Sequence, residues 1–313
     1  MTELAYAELH CHSYFSLLDG ASAPEALVEQ AAALKLQALA LTDHDSLAGA
    51  IRFWTAARRT GLHVVIGVEI TLASGHHLTL LAETQTGYGN LCRLITAARL
   101  GRRDESKEDS SSHPLTLSSQ HLVVPPIASW PGKVAAALSW EQLAAYREGI
   151  IALTGCRRGP VAGALLQGDE RAARQALERL LAIFGPDQLF VELQHHALPD
   201  DDRLVRRLLR LAGERRLPVV ATHDVHYATR AYSMLRDALI ATAHNESLST
   251  ARQAGHLPLN SSYALPSPLE MAHRFAECPT AVANTLVIAE RCQLSLDFSA
   301  ERLPRFMDGL PDA

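Results

Sequence analysis

The sequence predicts an α/β protein built on a parallel, barrel-like sheet of seven strands, followed by a helical annex. Three observations carry that expectation. Apolar, strand-forming runs alternate with helical segments from the start of the chain to about residue 222. Seven such runs occur, and neighbouring parallel strands need crossovers of the helical length found between them. Six of the seven carry a histidine, carboxylate or cysteine at or beside one end, and a βα barrel points its strand ends at one catalytic face.

Taken in order, the first strand is AYAEL. Ser22-Ala-Pro-Glu25 then has the spacing of a capping box with proline in the first turn, and it predicts a helix over 26–36. The strand over 38–41 follows at once. Asp45-Ser46 is placed to cap a helix through Ile51, Phe53, Trp54 and Ala57, which Thr60-Gly61 ends before a strand over 64–72. Ser74-Gly75 reads as a hairpin turn into a strand over 77–83, and 87–100 as a helix. Periodicity then disappears over 101–135, where a polar run gives way to VVPPIASWPG, predicting a long flexible surface loop. A second capping box, Ser139-Trp-Glu-Gln142, restarts the pattern. Strands over 149–154, 189–194 and 218–222 alternate with helices over 169–184 and 201–216. Beyond Tyr227 the signals are helical: 230–242, a helix opened by the box Ser267-Pro-Leu-Glu270, and 280–292. The division expected is a barrel over 1–230 and an annex over 231–313 whose last residues, RLPRFMDGLPDA, read as a linker.

Composition narrows the chemistry. A 313-residue chain that is 48% hydrophobic can bury one large core plus an appendage. The net charge of −5 advertises no basic surface for nucleic acid, so a site that handles phosphate would draw its positive charge from bound metal. The cysteines, at 11, 92, 156, 278 and 292, show no CxxC spacing; no apolar leader opens the chain and no run is long enough to span a membrane. A cytoplasmic, reducing setting without a membrane partner is expected, which leaves Cys156 free to act as a thiolate ligand.

The candidate ligands cluster at strand ends. His10 and His12 are two apart, and alternate residues of a strand share a face. Asp224 and His226 repeat that spacing. Glu69 lies inside VVIGVEITL, where a carboxylate is costly to bury unless a metal or an arginine answers its charge. His44, between Asp43 and Asp45, competes with a plain helix cap; Asp19 competes with a turn; Cys156 competes with a small buried hydrophobe. His77 begins its strand instead of ending it, so it reaches the common face only if that strand runs against the others or the turn delivers it, and alternation does not choose between it and His76. His195, His196 and His223 are candidates for outer contacts, whereas His63, His113, His121, His244, His256 and His273 read as surface residues of loops and helices. Six independent accidents are a poorer account of these strand ends than one multinuclear metal site. Mixed N, O and S donors suit two or three divalent ions, Zn²⁺ first, with Mn²⁺ or Fe²⁺ where imidazole and carboxylate dominate. Such ions clamp phosphoryl oxygens and lower the pKa of water, so phosphoester hydrolysis is the chemistry this donor set suggests.

AELHCHSYFSLLDGA, LALTDHDSLAGA, GVEITL, HLTLLA, ALTGC and VVATHDVHYA, in this order, resemble the polymerase and histidinol phosphatase (PHP) domain at the N-terminus of bacterial C-family DNA polymerases. CRRGPV and the VHYA ending look most like the error-prone branch, and the likeness runs from about Ala5 through Tyr227. It implies a distorted seven-stranded βα barrel with up to three metals and nine ligands: His10, His12, Glu69 and Asp224 for one ion; bridging Glu69 with His77 and Cys156 for a second; Asp19, His44 and His226 for a third. His223 departs from the family, where asparagine is frequent. The resemblance further implies a metal-dependent phosphoesterase, a 3′–5′ exonuclease on a primer end within a polymerase, with Glu69 bridging and His44 or His226 protonating the leaving oxygen. It makes DNA, through the full polymerase, and the palm and thumb domains the expected partners. The palm would begin after this chain stops, so the chain alone is expected not to polymerise DNA. The rivals are a stand-alone phosphatase of the histidinol phosphate type and a non-catalytic domain that binds metal and braces the polymerase. An amidohydrolase barrel also opens with HxH, but it uses a strand-end lysine, and Lys35, Lys107 and Lys133 occupy no strand end.

Overall fold

A computed structural model describes residues 4–100 and 136–296. The predicted loop over 101–135 and the C-terminal linker lie outside them. Seven strands form one sheet in sequential order: β1 (Ala7–Glu8), β2 (Ala38–Leu41), β3 (His63–Thr71), β4 (His77–Ala82), β5 (Ile150–Leu153), β6 (Leu189–Leu193) and β7 (Val219–Ala221). Every neighbouring pair is parallel except those involving β4, which runs antiparallel to both β3 and β5. A parallel bridge between Cys11 and Val225 brings the two edges together, so the sheet curls into a nearly closed barrel.

The reversal of β4 follows from the Ser74-Gly75 turn. Gly75 sits at φ +80°, open to glycine at no steric cost, and its N–H closes on the Leu72 carbonyl at 2.8 Å. A turn this short cannot carry a parallel crossover. His77 therefore enters its strand at the end where its neighbours finish.

Helices α1 (Pro24–Ala33), α2 (Ala50–Thr60), α3 (Gln85–Leu100), α4 (Trp140–Ala145), α5 (Pro160–Leu166), α6 (Glu170–Phe184) and α7 (Asp201–Arg215) coat the outside. The longer ones turn an apolar stripe inward, such as Leu177, Leu180 and Phe184 of α6, or Leu204, Leu208 and Leu211 of α7. The annex supplies α8 (Ser233–Ala243), α9 (Leu248–Gln253), α10 (Pro268–Arg274) and α11 (Pro279–Arg291), with a 3₁₀ turn at Arg230–Tyr232 before α8. The interior of the barrel is a second apolar cluster, in which Ala7, Leu9, Ala40, Val65, Leu153, Phe190 and Val220 meet Ile288, Ala289 and Cys292. Helix α11 thus plugs one mouth of the barrel. Thr285 Oγ1 accepts from Ala7 N, and Asn284 Nδ2 donates to the Val219 carbonyl, tying the plug to the first and last strands.

Three local expectations are corrected. Ser22 does not cap α1: Ala23 is the N-cap, and the Ser22 hydroxyl accepts from Ala228 N instead, joining the start of the chain to the segment after β7. Asp45 does not cap α2, which starts five residues later with Gly49 as its N-cap. Its carboxylate takes the Thr71 N–H and hydroxyl, both at 2.8 Å, and fastens the β2–α2 loop to β3. His63 is the first residue of β3, with Nε2 on the Ala289 carbonyl of the plug at 2.9 Å. Helices α5 and α9 were not predicted. In α5 six of seven residues are buried, so no amphipathic period marks it; α9 is six residues long. The boxes at Ser139 and Ser267 form as expected.

Candidate metal centre

The open mouth of the barrel, opposite the α11 plug, gathers the strand-end residues. The Cys11–Val225 bridge is the organising element. His12 N donates to the Val225 carbonyl at 2.7 Å and Val225 N to the His10 carbonyl at 2.9 Å, so the residues flanking the two bridged positions face the same side. Asp224 and His226 therefore converge with His10 and His12, though not as strand alternation alone implied. Strand β7 ends at Ala221, and Asp224 sits at φ +47°, a left-handed conformation that costs a non-glycine residue roughly 1–2 kcal/mol. Backbone strain of this kind clusters at functional sites.

Glu69, 1% exposed, lies at the centre. Its Oε2 is 2.7 Å from His44 Nδ1 and 2.9 Å from His77 Nδ1, while Oε1 is 3.3 Å from His10 Nε2. Asp224 Oδ1 is 3.3 Å from His12 Nε2, 3.3 Å from His226 Nε2 and 3.5 Å from His10 Nε2. Asp19 bridges on the third side, with Oδ2 3.0 Å from His44 Nε2 and Oδ1 3.1 Å from His226 Nδ1. Three donor groups have ligand atoms mutually within 4.8 Å: His10/His12/Asp224, His12/His44/Glu69, and Glu69/His77/Cys156. All nine predicted positions thus meet in one cluster. His77 faces Glu69, whereas His76 lies in the turn with Nδ1 on Ser74 Oγ.

Glycines make room for two of these residues. A side chain on Gly20 would strike the Ser13 carbonyl at 1.9 Å, so the backbone after Asp19 can close only on glycine. Gly155, at φ +89°, would put a Cβ 2.4 Å from the His77 carbonyl, and it delivers Cys156 to the site.

Hydrogen bonds fix the imidazole tautomers. Glu192 Oε1 accepts from His10 Nδ1 at 2.7 Å, which leaves Nε2 as the face turned to Glu69 and Asp224. Ser16 donates its hydroxyl proton to Asp43 at 2.7 Å, so its oxygen accepts from His12 Nδ1 at 3.1 Å and frees His12 Nε2. Burial holds His12 down to about 3, so it is neutral and ready to ligate. For His44, burial is outweighed by the charge of Glu69, which raises it to about 10. Burial likewise loses at Glu69 and Asp224: His77 and His44 hold the first, and His226 and His12 the second, well below the usual carboxylate range. Even so, His10 Nε2, His12 Nε2, Glu69 Oε1, His77 Nδ1 and His226 Nδ1 are buried and, although they lie 2.9–3.3 Å from the opposing atoms just named, make no hydrogen bond of good geometry. So many orphaned donor atoms pointing at one spot fit a cationic occupant.

Sequence reasoning missed four residues that support this cluster. Glu192, fully buried in LFVEL, holds His10 and also accepts from Thr222 Oγ1 at 2.5 Å. Glu8 accepts from His10 N, His223 N and the Tyr6 hydroxyl. Both are carboxylates inside apolar runs, the signal that singled out Glu69. Asp43 collects Ser13 and Ser16. Arg236, on α8, reaches Asp19 and carried no signal. Of the other histidines, His196 and His223 are buried and stack on each other, His195 pairs with Asp202, and His244 stacks on His256, both half-buried. His113 and His121 lie outside the described residues.

Fold and site together define an α/β barrel that carries a candidate multinuclear metal centre at its mouth. The model of the PHP domain family matches residues 8–196, and the chain belongs to that family. It is similar to the error-prone DNA polymerase of Symbiobacterium thermophilum, 38% identical over 303 residues that cover 97% of this chain and 26% of that protein. The error-prone DNA polymerase of Mycobacterium tuberculosis H37Rv is 39% identical over 316 residues, covering 97% and 26%. DNA polymerase III subunit alpha of Treponema pallidum is 31% identical over 321 residues, covering 98% and 25%. The chain spans about a quarter of the length of these relatives. Among solved structures, an amidohydrolase from Chromobacterium violaceum aligns at TM-score 0.47 and 23% identity, covering 71% of this chain and 87% of that one. No helix among the described residues is long and apolar enough to cross a membrane.

Proposed function

We propose that this chain is the N-terminal PHP domain of an error-prone C-family DNA polymerase and acts as a metal-dependent phosphoesterase, a 3′–5′ exonuclease on primer ends. The observation that carries the reading is the set of buried, unpartnered ligand atoms converging on Glu69 and Asp224. His10, His12, Glu69 and Asp224 would hold one ion, Glu69, His77 and Cys156 a second, and Asp19, His44 and His226 a third; Zn²⁺ suits the thiolate and imidazoles, with Mn²⁺ or Fe²⁺ as alternatives. When bound, such ions supply charge for phosphoryl oxygens and lower the pKa of water.

The chain's own residues supply orientation and proton transfer. With no ion in the third position, protonated His44 is the better donor to a leaving oxygen, because its side chain is 21% exposed against 4% for His226. Arg158 is a candidate cation for a substrate phosphate. It is half-buried, follows Cys156 by two residues and accepts from His77 N through its carbonyl; burial lowers the pKa of both His76 and His77, and the Arg158 charge adds to that lowering. Its neighbour Arg157 is instead pinned by Asp200 and Asp201. Duplex DNA would reach the site through the palm and thumb of the complete, cytoplasmic polymerase, since this chain's net charge is −5.

The test combines metal analysis of the purified chain with parallel hydrolysis of a 3′-recessed primer and of histidinol phosphate, with Asp224→Asn as control. Fewer than two bound metals, or two metals without hydrolysis, would reduce the domain to a brace for the polymerase. Preference for histidinol phosphate would make it a small-molecule phosphatase, and an unchanged rate in the Asp224 variant would expose a contaminant.

A further inference from the structure

Among the described residues, Arg236 is the arginine whose side chain is ion-paired with a proposed ligand carboxylate. It is 3% exposed, stacks 4.5 Å from the Tyr263 ring, and directs Nη2 and Nε at Asp19 Oδ1 at 2.9 and 3.2 Å. Asp19 is the only carboxylate paired with it among the described residues, and its Nη1 is buried with no hydrogen-bond partner. A buried guanidinium whose single counter-charge is removed becomes an uncompensated buried charge, which is strongly unfavourable. Asp19 is therefore already committed. An ion drawing on Asp19 Oδ1 must share that oxygen with a permanent cation and with His226 Nδ1.

The rest of the centre is different. No lysine or arginine among the described residues lies within ion-pair distance of Glu69 or Asp224; their close partners are imidazoles, which a metal can use as ligands. The donor set is thus electrostatically uneven: among the described residues Asp19 is the ligand carboxylate ion-paired with an arginine, whereas Arg158 acts on the Glu69/His77/Cys156 group without pairing with Glu69.

Resting on the metal-centre reading above, we propose that Arg236 makes this a two-plus-one centre. The His10/His12/Glu69/Asp224 and Glu69/His77/Cys156 positions hold their ions tightly, and the Asp19/His44/His226 position holds its ion weakly. Arg236 acts through Asp19 and is a positioning residue.

Stripped of metal with chelator, the full chain is titrated with Zn²⁺ alone by calorimetry, and retained metal is counted by mass spectrometry after desalting. Two retained ions are expected, with a third at least tenfold weaker. Arg236→Met frees Asp19 and should tighten the third at least tenfold, whereas Arg236→Lys, which keeps the charge, should leave it weak. Asp19→Asn should keep both tight ions. Three ions of equal affinity in the unaltered chain, a folded Arg236→Met variant with an unchanged third site, or loss of a tight ion in Asp19→Asn would each overturn the proposal. If Arg236→Met or Asp19→Asn does not fold by circular dichroism, the relative affinity of the third ion in the unaltered chain and in Arg236→Lys still decides. A chain that retains no metal at all would instead sink the metal-centre reading.

Discussion

Glu192→Gln isolates what a buried carboxylate does for a ligand it does not share. Glu192 and His10 are both fully buried, and the Oε1 to Nδ1 distance is 2.7 Å. The substitution keeps shape and an acceptor oxygen but removes the charge that holds the His10 tautomer and raises the basicity of its Nε2. Loss of such an outer partner typically weakens metal affinity about 10–100-fold, or roughly 1.4–2.8 kcal/mol. Because metal binding to the native state adds directly to stability, that increment should disappear from the metal-induced stabilisation at saturating Zn²⁺. For a chain of this size it amounts to a few degrees in melting temperature, on the order of 2–4 °C per kcal/mol. The assay is Zn²⁺ affinity by chelator competition, together with melting curves with and without metal. An affinity within twofold of the unaltered chain, with the fold intact, would refute the inference that Glu192 tunes His10. Equal destabilisation with and without metal would show that Glu192 serves the apo fold alone.

Three further outcomes follow from the geometry. Glu8 is raised to about 7 by burial, so between its ordinary value and 7 the folded chain binds a proton that the unfolded chain has released; apo stability should fall as pH rises through that window, and Glu8→Gln should flatten the fall in denaturant titrations at pH 5 and pH 8. Arg158→Ala should raise KM for a phosphoester roughly tenfold while kcat stays within a few-fold, as expected for the loss of one charged contact; a change confined to kcat would remove Arg158 from substrate binding. Gly155→Ala combines positive φ with a Cβ 2.4 Å from the His77 carbonyl, so it should cost more than about 1 kcal/mol in denaturant unfolding and displace Cys156, read as a lost visible Co²⁺–thiolate band.

Much of the site was legible because burial makes ionisable residues conspicuous. Glu69 in VVIGVEITL announced itself as a carboxylate that needs a partner, and the HxH and DxH spacings named four more candidates. The same signal stands in AYAEL and LFVEL, where Glu8 and Glu192 support the ligands. Helix caps were less legible. The serine and aspartate signals at Ser22 and Asp45 were real hydrogen-bonding groups, yet tertiary partners, Ala228 N and Thr71, won them over the local helix ends. Short buried helices such as α5 have no polar face and so no period to read.

By itself the sequence determined the seven strands, the turn that reverses β4 and the residue types able to bind metal, since these rest on local periodicity, φ preference and side-chain chemistry. Only the tertiary structure decided which of them meet. The Cys11–Val225 bridge aligns two motifs more than two hundred residues apart, the reversed strand brings His77 and not His76 to Glu69, α11 fills the barrel from the annex, and Arg236 crosses from α8 to claim Asp19. Contacts between residues so distant along the chain leave no mark on local spacing, because closing the barrel alone brings them together.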